Sequence, residues 1–263
     1  MRAPKKRSWP ARLYPETDDM GEHELQRLIA ELLRPLLARF LAARGIVAHA
    51  GADQFVYWAE GEPTKRIAPD LYILPGVRQE VVISSWKTWQ TGIVPSFVLE
   101  IASDNFAKDY EDNPALYDEL GVDELVVFDP HARPGSRSRR VRWQVFRRLR
   151  GRGLMRTQVT QSDRVRSKRL GAWLRAIGTG TDIRVRLAVG PDGDELFPTE
   201  AEVERAAKEQ ERAAKEQERA AKEQERVRRV QAEVEVARLR ALLAETTQSR
   251  RKLSTKRALK TRH

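Results

Sequence analysis

The chain has 263 residues, a formal net charge of +11 and no cysteine. That length allows one sizeable domain plus an appendage. Without thiols there are no disulfides and no Cys-ligated zinc, and no apolar run approaches a membrane span. The positive charge is clustered: Pro134 to Arg156 carries nine Arg and no acid, and Thr247 to His263 carries seven Lys/Arg and no acid. Such clusters point to a polyanion, nucleic acid first, the bland reading being solvated tails.

The N-terminus, Met1-Arg-Ala-Pro-Lys-Lys-Arg, has charge but no apolar stretch behind it, so it does not read as a secretory signal. A cytoplasmic protein with a disordered basic segment over residues 1–13 is expected. Residues 14–195 form the expected core domain. Glu22 to Ala43 predicts an amphipathic helix, with Leu25, Leu28, Ile29, Leu32, Leu33, Leu36, Leu37 and Phe40 at three- and four-residue steps. Gly45 follows as a helix end prefers. Gln54 to Ala59 and Asp70 to Leu74 read as strands, the second stopped by Pro75-Gly76. Between residues 77 and 94 the pattern is ambiguous; Trp86 and Trp89 suggest a short helical turn. Ser96 to Ala102 is a very apolar, hence central, strand. Asp109 to Leu120 reads as a helix with Pro114 in its first turn, and Glu124 to Asp129 as a further buried strand. Val141 to Arg148 and Leu154 to Thr160 predict a hairpin around Gly151-Arg-Gly153. Leu170 to Ile177 reads as a short helix and Asp182 to Ala188 as a last strand. The order gives a mixed α/β sheet rather than a repeating βαβ barrel.

Composition changes near Pro198. Thr199-Glu-Ala-Glu202 fits a capping box and opens a long helix, expected over 198–246, with three Ala-Ala-Lys-Glu-Gln-Glu-Arg heptads at 206–212, 213–219 and 220–226. Its candidate seam is Ala and Gln in the repeats and gains Val and Leu only after Val227. A homo-oligomer through a coiled coil and a solvated single helix both remain open. Residues 247–263 are expected to be a disordered basic tail.

Asp70 and Glu100 are the chemically informative residues. Each is a carboxylate in an apolar strand, where charge needs compensation. If the two strands pair, alternation can aim both to one side. A divalent ion, magnesium by its preference for oxygen ligands and retained water, would relieve the repulsion. The bland readings are a turn-forming Asp after Pro69 and an arginine partner for Glu100, Arg66 being near in sequence. The four His show no metal-ligand spacing, and no Gly-rich phosphate loop occurs.

The same residues belong to an ordered set: Glu22, Arg66-Ile-Ala-Pro-Asp70, Pro95, Phe97-Val-Leu-Glu-Ile-Ala-Ser103, Asp109, Leu116-Tyr117, Leu120-Gly-Val122, Glu124, Phe128-Asp-Pro130, Gln161-Ser162 and Leu170-Gly171. In that order the chain resembles the Uma-two restriction-endonuclease family of the PD-(D/E)xK nuclease superfamily. The resemblance implies a restriction-endonuclease-like core, with a mixed central sheet flanked by helices, and magnesium-dependent cleavage of DNA. It implies Asp70 and Glu100 as metal ligands and Glu22 as an auxiliary acid. The chain departs from the pattern at the lysine: Ala102 stands two after Glu100, and Asn113 stands where relatives relocate the lysine. Lys108 is a candidate substitute. The expected function is therefore a DNA endonuclease, the alternative a catalytically impaired nuclease fold that binds or scaffolds nucleic acid. Arg139, Arg140, Arg142, Arg147, Arg148 and Arg150 are the candidates for gripping a DNA backbone; the equally weighted alternative is an edge hairpin protected by charge.

Overall fold

A computed structural model describes residues 24–103, 106–133, 135 and 139–260. Glu22, the N-terminal segment 1–13 and residues 261–263 lie outside them. The chain divides into a unit ending at Thr199 and a second beginning at Glu200.

Leucine-rich periodicity makes α1, Glu24–Ala43, which buries Ile29, Leu33, Leu36, Leu37, Phe40 and Leu41. Gly45, with φ of 69°, lets the chain leave the helix. The strands that follow are β1 (Ala48–Gly51), β2 (Phe55–Tyr57), β3 (Arg66–Ile67), β4 (Leu71–Pro75) and β5 (Ser85–Lys87). One turn of helix, α2 (Thr88–Thr91), separates β5 from β6 (Phe97–Ile101). Trp86 thus lies in a strand rather than on the expected helical turn. A π-type turn, Lys108–Asp112, leads into α3 (Asn113–Leu120), with Pro114 in its first turn, where a missing N–H costs nothing. Then come β7 (Glu124–Phe128), β8 (Trp143–Leu149), β9 (Gly153–Thr160), β10 (Arg164–Ser167), β11 (Ala172–Ile177), β12 (Arg184–Val189) and β13 (Glu195–Leu196).

The central sheet has six strands in the order β1-β4-β6-β7-β8-β9. Only β6 and β7 run parallel, joined through α3; the other pairs are antiparallel. Strand β6, the most apolar, is internal. A four-stranded sheet, β10-β11-β12-β13, and a small sheet, β3-β2-β5, complete the unit. The expected mixed α/β class, with a mixed central sheet and a long C-terminal helix, is what the structure shows.

Alternation along the strands splits the core in two. Leu71, Ile73, Phe97, Leu99 and Ile101 pack with α1 and with β10–β12. Tyr72, Leu74, Val98 and Ala102 face the opposite way, against Tyr117 and Leu120 of α3 and Val56, Ile67 and Trp86 of the small sheet. Asp70 and Glu100 fall on this second face. Leu170 to Ile177 is corrected from helix to strand. Ala172, Leu174 and Ala176 are buried while Trp173, Arg175 and Ile177 are less so, a two-residue period that pairing with β10 and β12 fixes.

The second unit is α4, Glu200–Lys260, a helix of 61 residues. It continues past residue 246, the end expected from sequence. Ion pairs Lys215–Glu211 and Lys222–Glu218, both 2.6 Å and four apart, repeat along it. No helix among the described residues is long and apolar enough to cross a membrane.

Candidate active site

The register of β4 against β6 sets Leu71 opposite Leu99 and Tyr72 opposite Val98. One step beyond, Asp70 and Glu100 face each other. Asp70 accepts the backbone N–H of Ile101 at 2.5 Å, and the carbonyl of the same residue accepts from Gln26 Nε2 at 2.6 Å. The backbone of Ile101 is thereby held between an acid just before β4 and an amide on α1.

Glu100 is 6% exposed. Its Oε1 accepts the Tyr117 hydroxyl and its Oε2 accepts Asn113 Nδ2 at 3.3 Å. The same amide donates to Asp109 Oδ1 at 3.4 Å, while Asp109 Oδ2 accepts the N–H and hydroxyl of Ser103 at 2.8 and 2.9 Å. Three acids, Asp70, Glu100 and Asp109, therefore surround one neutral amide and one phenol. Among the described residues none of the three acids forms an ion pair. Arg66, the bland candidate partner, instead lies over the Phe55 ring at 4.5 Å.

Burial pushes the Glu100 carboxyl up to about 8; the Tyr117 hydroxyl opposes this, and the Asp109 charge adds to it. Burial and then the Glu100 charge push Asp70 well above the usual range, against the pull of the Ile101 N–H. Tyr117 is driven up too, by burial and the neighbouring carboxylates. Lys108 is exposed, yet its charge reaches Glu100 and favours the ionised form. Asp53 adds a fourth negative charge felt by Asp70; it sits at φ of 62° and donates its N–H to the Pro69 carbonyl.

Other buried acids are treated differently. Glu124, 1% exposed, receives Arg147 Nε at 2.8 Å, the Ser167 hydroxyl at 2.5 Å, and the N–H groups of Lys168 and Arg169. Asp129, fully buried, receives Arg140 at 3.0 Å and the Tyr110 hydroxyl at 2.6 Å. These carboxylates have cations and several donors, as buried charge requires. The acids near Asp70 have none of the cations. Two side chains whose place here sequence reasoning missed are Gln26, on the Ile101 carbonyl, and Asp109, behind Asn113; a glutamine among the apolar residues of an amphipathic helix is the one available signal for the first.

Several of the arginines expected to hold DNA have partners within the protein. Arg140 and Arg147 are committed to Asp129 and Glu124, and Arg148 donates to Asp118 and the Val122 carbonyl. Arg142 donates to the Ala132 carbonyl. Arg139 and Arg150 stay exposed. The aromatics interleaved with them, Trp143 and Phe146, are buried on opposite faces of the sheet. Protein carboxylates hold three of those six arginines, Arg140, Arg147 and Arg148.

A family model, Uma2, described as "Putative restriction endonuclease", matches residues 15–174. The chain belongs to the Uma2 family. The match takes in Asp70, Glu100, Asp109, Asn113 and Tyr117 and ends inside β11, so the arm α4 lies beyond the Uma2 segment. Among solved structures the chain is similar to a "putative nuclease belonging to DUF820" from Anabaena variabilis ATCC 29413, with 12% identity and a TM-score of 0.37, covering 57% of this chain and 75% of that one. No curated protein matches it. Among the described residues no three His, Cys, Asp or Glu side chains form a group able to hold a metal ion. What this Uma2 chain offers is a facing pair of acids with a third behind Asn113.

Proposed function

We propose that the protein is a divalent-cation-dependent DNA endonuclease in which Asp70 and Glu100 are the metal ligands. The observation that carries this reading is the contrast among buried acids: Glu124 and Asp129 are matched by arginines, whereas neither Asp70 nor Glu100 forms an ion pair among the described residues. Fit supports it. Both side chains are hard oxygen donors, they face each other across neighbouring strands, and Asp70 keeps partial exposure. Magnesium is commonly held by one or two carboxylates with water filling the rest of its shell. When bound, the ion would polarise the scissile phosphate and lower the pKa of its water.

The chain's own residues supply the rest. Tyr117 and Asn113 orient Glu100, and Ser103 orients Asp109. Gln26 and Asp70 hold the carbonyl and the N–H of Ile101. Lys108 brings a positive charge that reaches Glu100, the role the family resemblance gives to a lysine.

Asn113 favours a second reading. An amide can orient Glu100 but cannot offset transition-state charge, and losing such a group costs about 10²- to 10³-fold. A catalytically impaired nuclease fold that binds or scaffolds nucleic acid follows from that. Nicking of supercoiled plasmid with magnesium separates the two, with Asp70→Ala and Glu100→Ala as controls. Cleavage lost in both variants supports the enzyme; wild type behaving like both variants refutes it. Cleavage that appears only in Asn113→Lys assigns the chain to the impaired class.

A further inference from the structure

The face of the central sheet away from the acids carries a separate cleft. It opens between the C-terminal end of α1, strands β10–β12 and the segment around Phe197, with a volume of about 410 Å³, inside the range of roughly 300–1,000 Å³ typical of small-ligand sites. Phe40, Arg44, Arg166, Trp173 and Phe197 line it, and no carboxylate does. Phe40 and Phe197 pack with the core beneath this face, whereas Glu100 lies among Val98, Ala102 and Tyr117 of the other. The sheet stands between the two sites.

The walls are already set. Phe40 and Phe197 meet edge to face, with centroids 5.2 Å apart. The Trp173 indole donates to the Gly190 carbonyl at 3.2 Å, and its ring rests on Gly193, where a Cβ would come within 2.5 Å of it. Arg44 lies over Phe40 at 5.1 Å and donates to the Leu170 and Gly171 carbonyls, so its position is fixed while it forms no ion pair among the described residues. Arg166 stands directly across from Trp173 in the β10–β11 register, exposed and without an ion pair among the described residues. The acids closest along these strands are used elsewhere: Asp163 and Asp194 pair with Arg164, and Asp163 also with Arg175.

Three rings, two guanidiniums and no carboxylate select a flat, anionic molecule. Aromatic faces stack on nucleobases irrespective of sequence, and a guanidinium fork matches a phosphate. We propose that this cleft binds a nucleotide, its base against Trp173 and Phe197, with Phe40 as the floor, and its phosphate on Arg166 and Arg44. The chemistry is shared by a free nucleoside monophosphate and by an unstacked nucleotide of a DNA strand.

The test uses the full chain in EDTA, which keeps any metal-mediated binding at the acids out of the measurement. Deoxyadenosine monophosphate, deoxyadenosine, inorganic phosphate and a short single strand are titrated while the indole N–H resonance of Trp173, assigned through Trp173→Phe, is followed. Movement of that resonance with the monophosphate or the strand is expected, with Arg166→Glu weakening it by about tenfold or more through loss of a charge-assisted contact. The monophosphate binding alone identifies a free nucleotide as the source; the strand binding more tightly identifies DNA. The proposal is overturned if neither moves the resonance, if phosphate alone binds as tightly as the monophosphate, or if Arg166→Glu changes nothing.

Discussion

Replacing Glu100 with Gln gives the sharpest test of the acid pair. Gln keeps the shape and its oxygen can still accept the Tyr117 hydroxyl, though its amide nitrogen cannot accept from Asn113 Nδ2, and it carries no proton to lose. In the metal-free wild type the folded state holds that proton up to about pH 8, against a reference value of 4.5. The folded form therefore binds more protons than the unfolded one between those limits, and stability falls as pH rises through them. At about 1.4 kcal/mol per pH unit the upper bound is roughly 5 kcal/mol across the window. For a domain of this size each kcal/mol moves Tm by about 2–4 °C. Thermal unfolding in EDTA from pH 5 to 8.5 should show wild-type Tm falling with pH and Glu100→Gln falling much less, the residual slope belonging to Asp70. Adding magnesium to wild type at pH 8 should recover the loss, because a cation favours the ionised pair. Parallel Tm–pH curves for the two proteins would refute the reasoning.

The other buried acids predict the opposite behaviour. Arg147→Ala leaves Glu124 buried without its cation and should cost about 3–5 kcal/mol in urea unfolding; a loss below 1 kcal/mol would mean that the Ser167 and backbone donors suffice. Gly51→Ala drives a Cβ to 2.3 Å from the Tyr72 ring, which is pinned through its hydroxyl to Gln54; a loss of about 1–3 kcal/mol is expected from such overpacking, checked by chemical denaturation. Asn113→Lys places a cation between Glu100 and Asp109, so it should flatten the Tm–pH slope as well as raise magnesium-dependent nicking by about 10²-fold or more.

Much of this was legible because sequence signals and tertiary packing agreed. The leucine period of α1 matches the face it buries, and β6 reads as internal because all five of its positions are buried. The facing of Asp70 and Glu100 followed from alternation plus one assumption, that the two strands pair, which the register supplies. Where the reading went astray, long-range partners decided the outcome. Leu170, Leu174 and Ile177 mimic a helical stripe, and only the flanking strands β10 and β12 make Ala172, Leu174 and Ala176 the inward set. Nothing local in the arginine cluster reveals that Glu124 and Asp129 are buried beside it and pair with Arg147 and Arg140. Asp109 enters the site through a π-type turn, and such a turn has no periodic signature.

Energetics give the acid pair its meaning. Apart from Asp70, the strand neighbours of Glu100 are apolar, and a well-packed hydrophobic residue of similar volume is commonly as stable as, or more stable than, a buried charge. The chain had the means to neutralise the charge, since arginines already serve Glu124 and Asp129 in the same sheet. It places instead an amide and a phenol, groups that orient a carboxylate without cancelling it. A fold whose total stability is of order 5–15 kcal/mol carries here a pair whose ionisation works against folding across neutral pH. The packing does not require that cost, and a cation that binds the folded state alone would offset it. By that argument the Asp70→Asn, Glu100→Gln double variant should be more stable than metal-free wild type at pH 8 and unresponsive to magnesium. A double variant less stable than wild type would mean that the two acids belong to the architecture rather than to a ligand site.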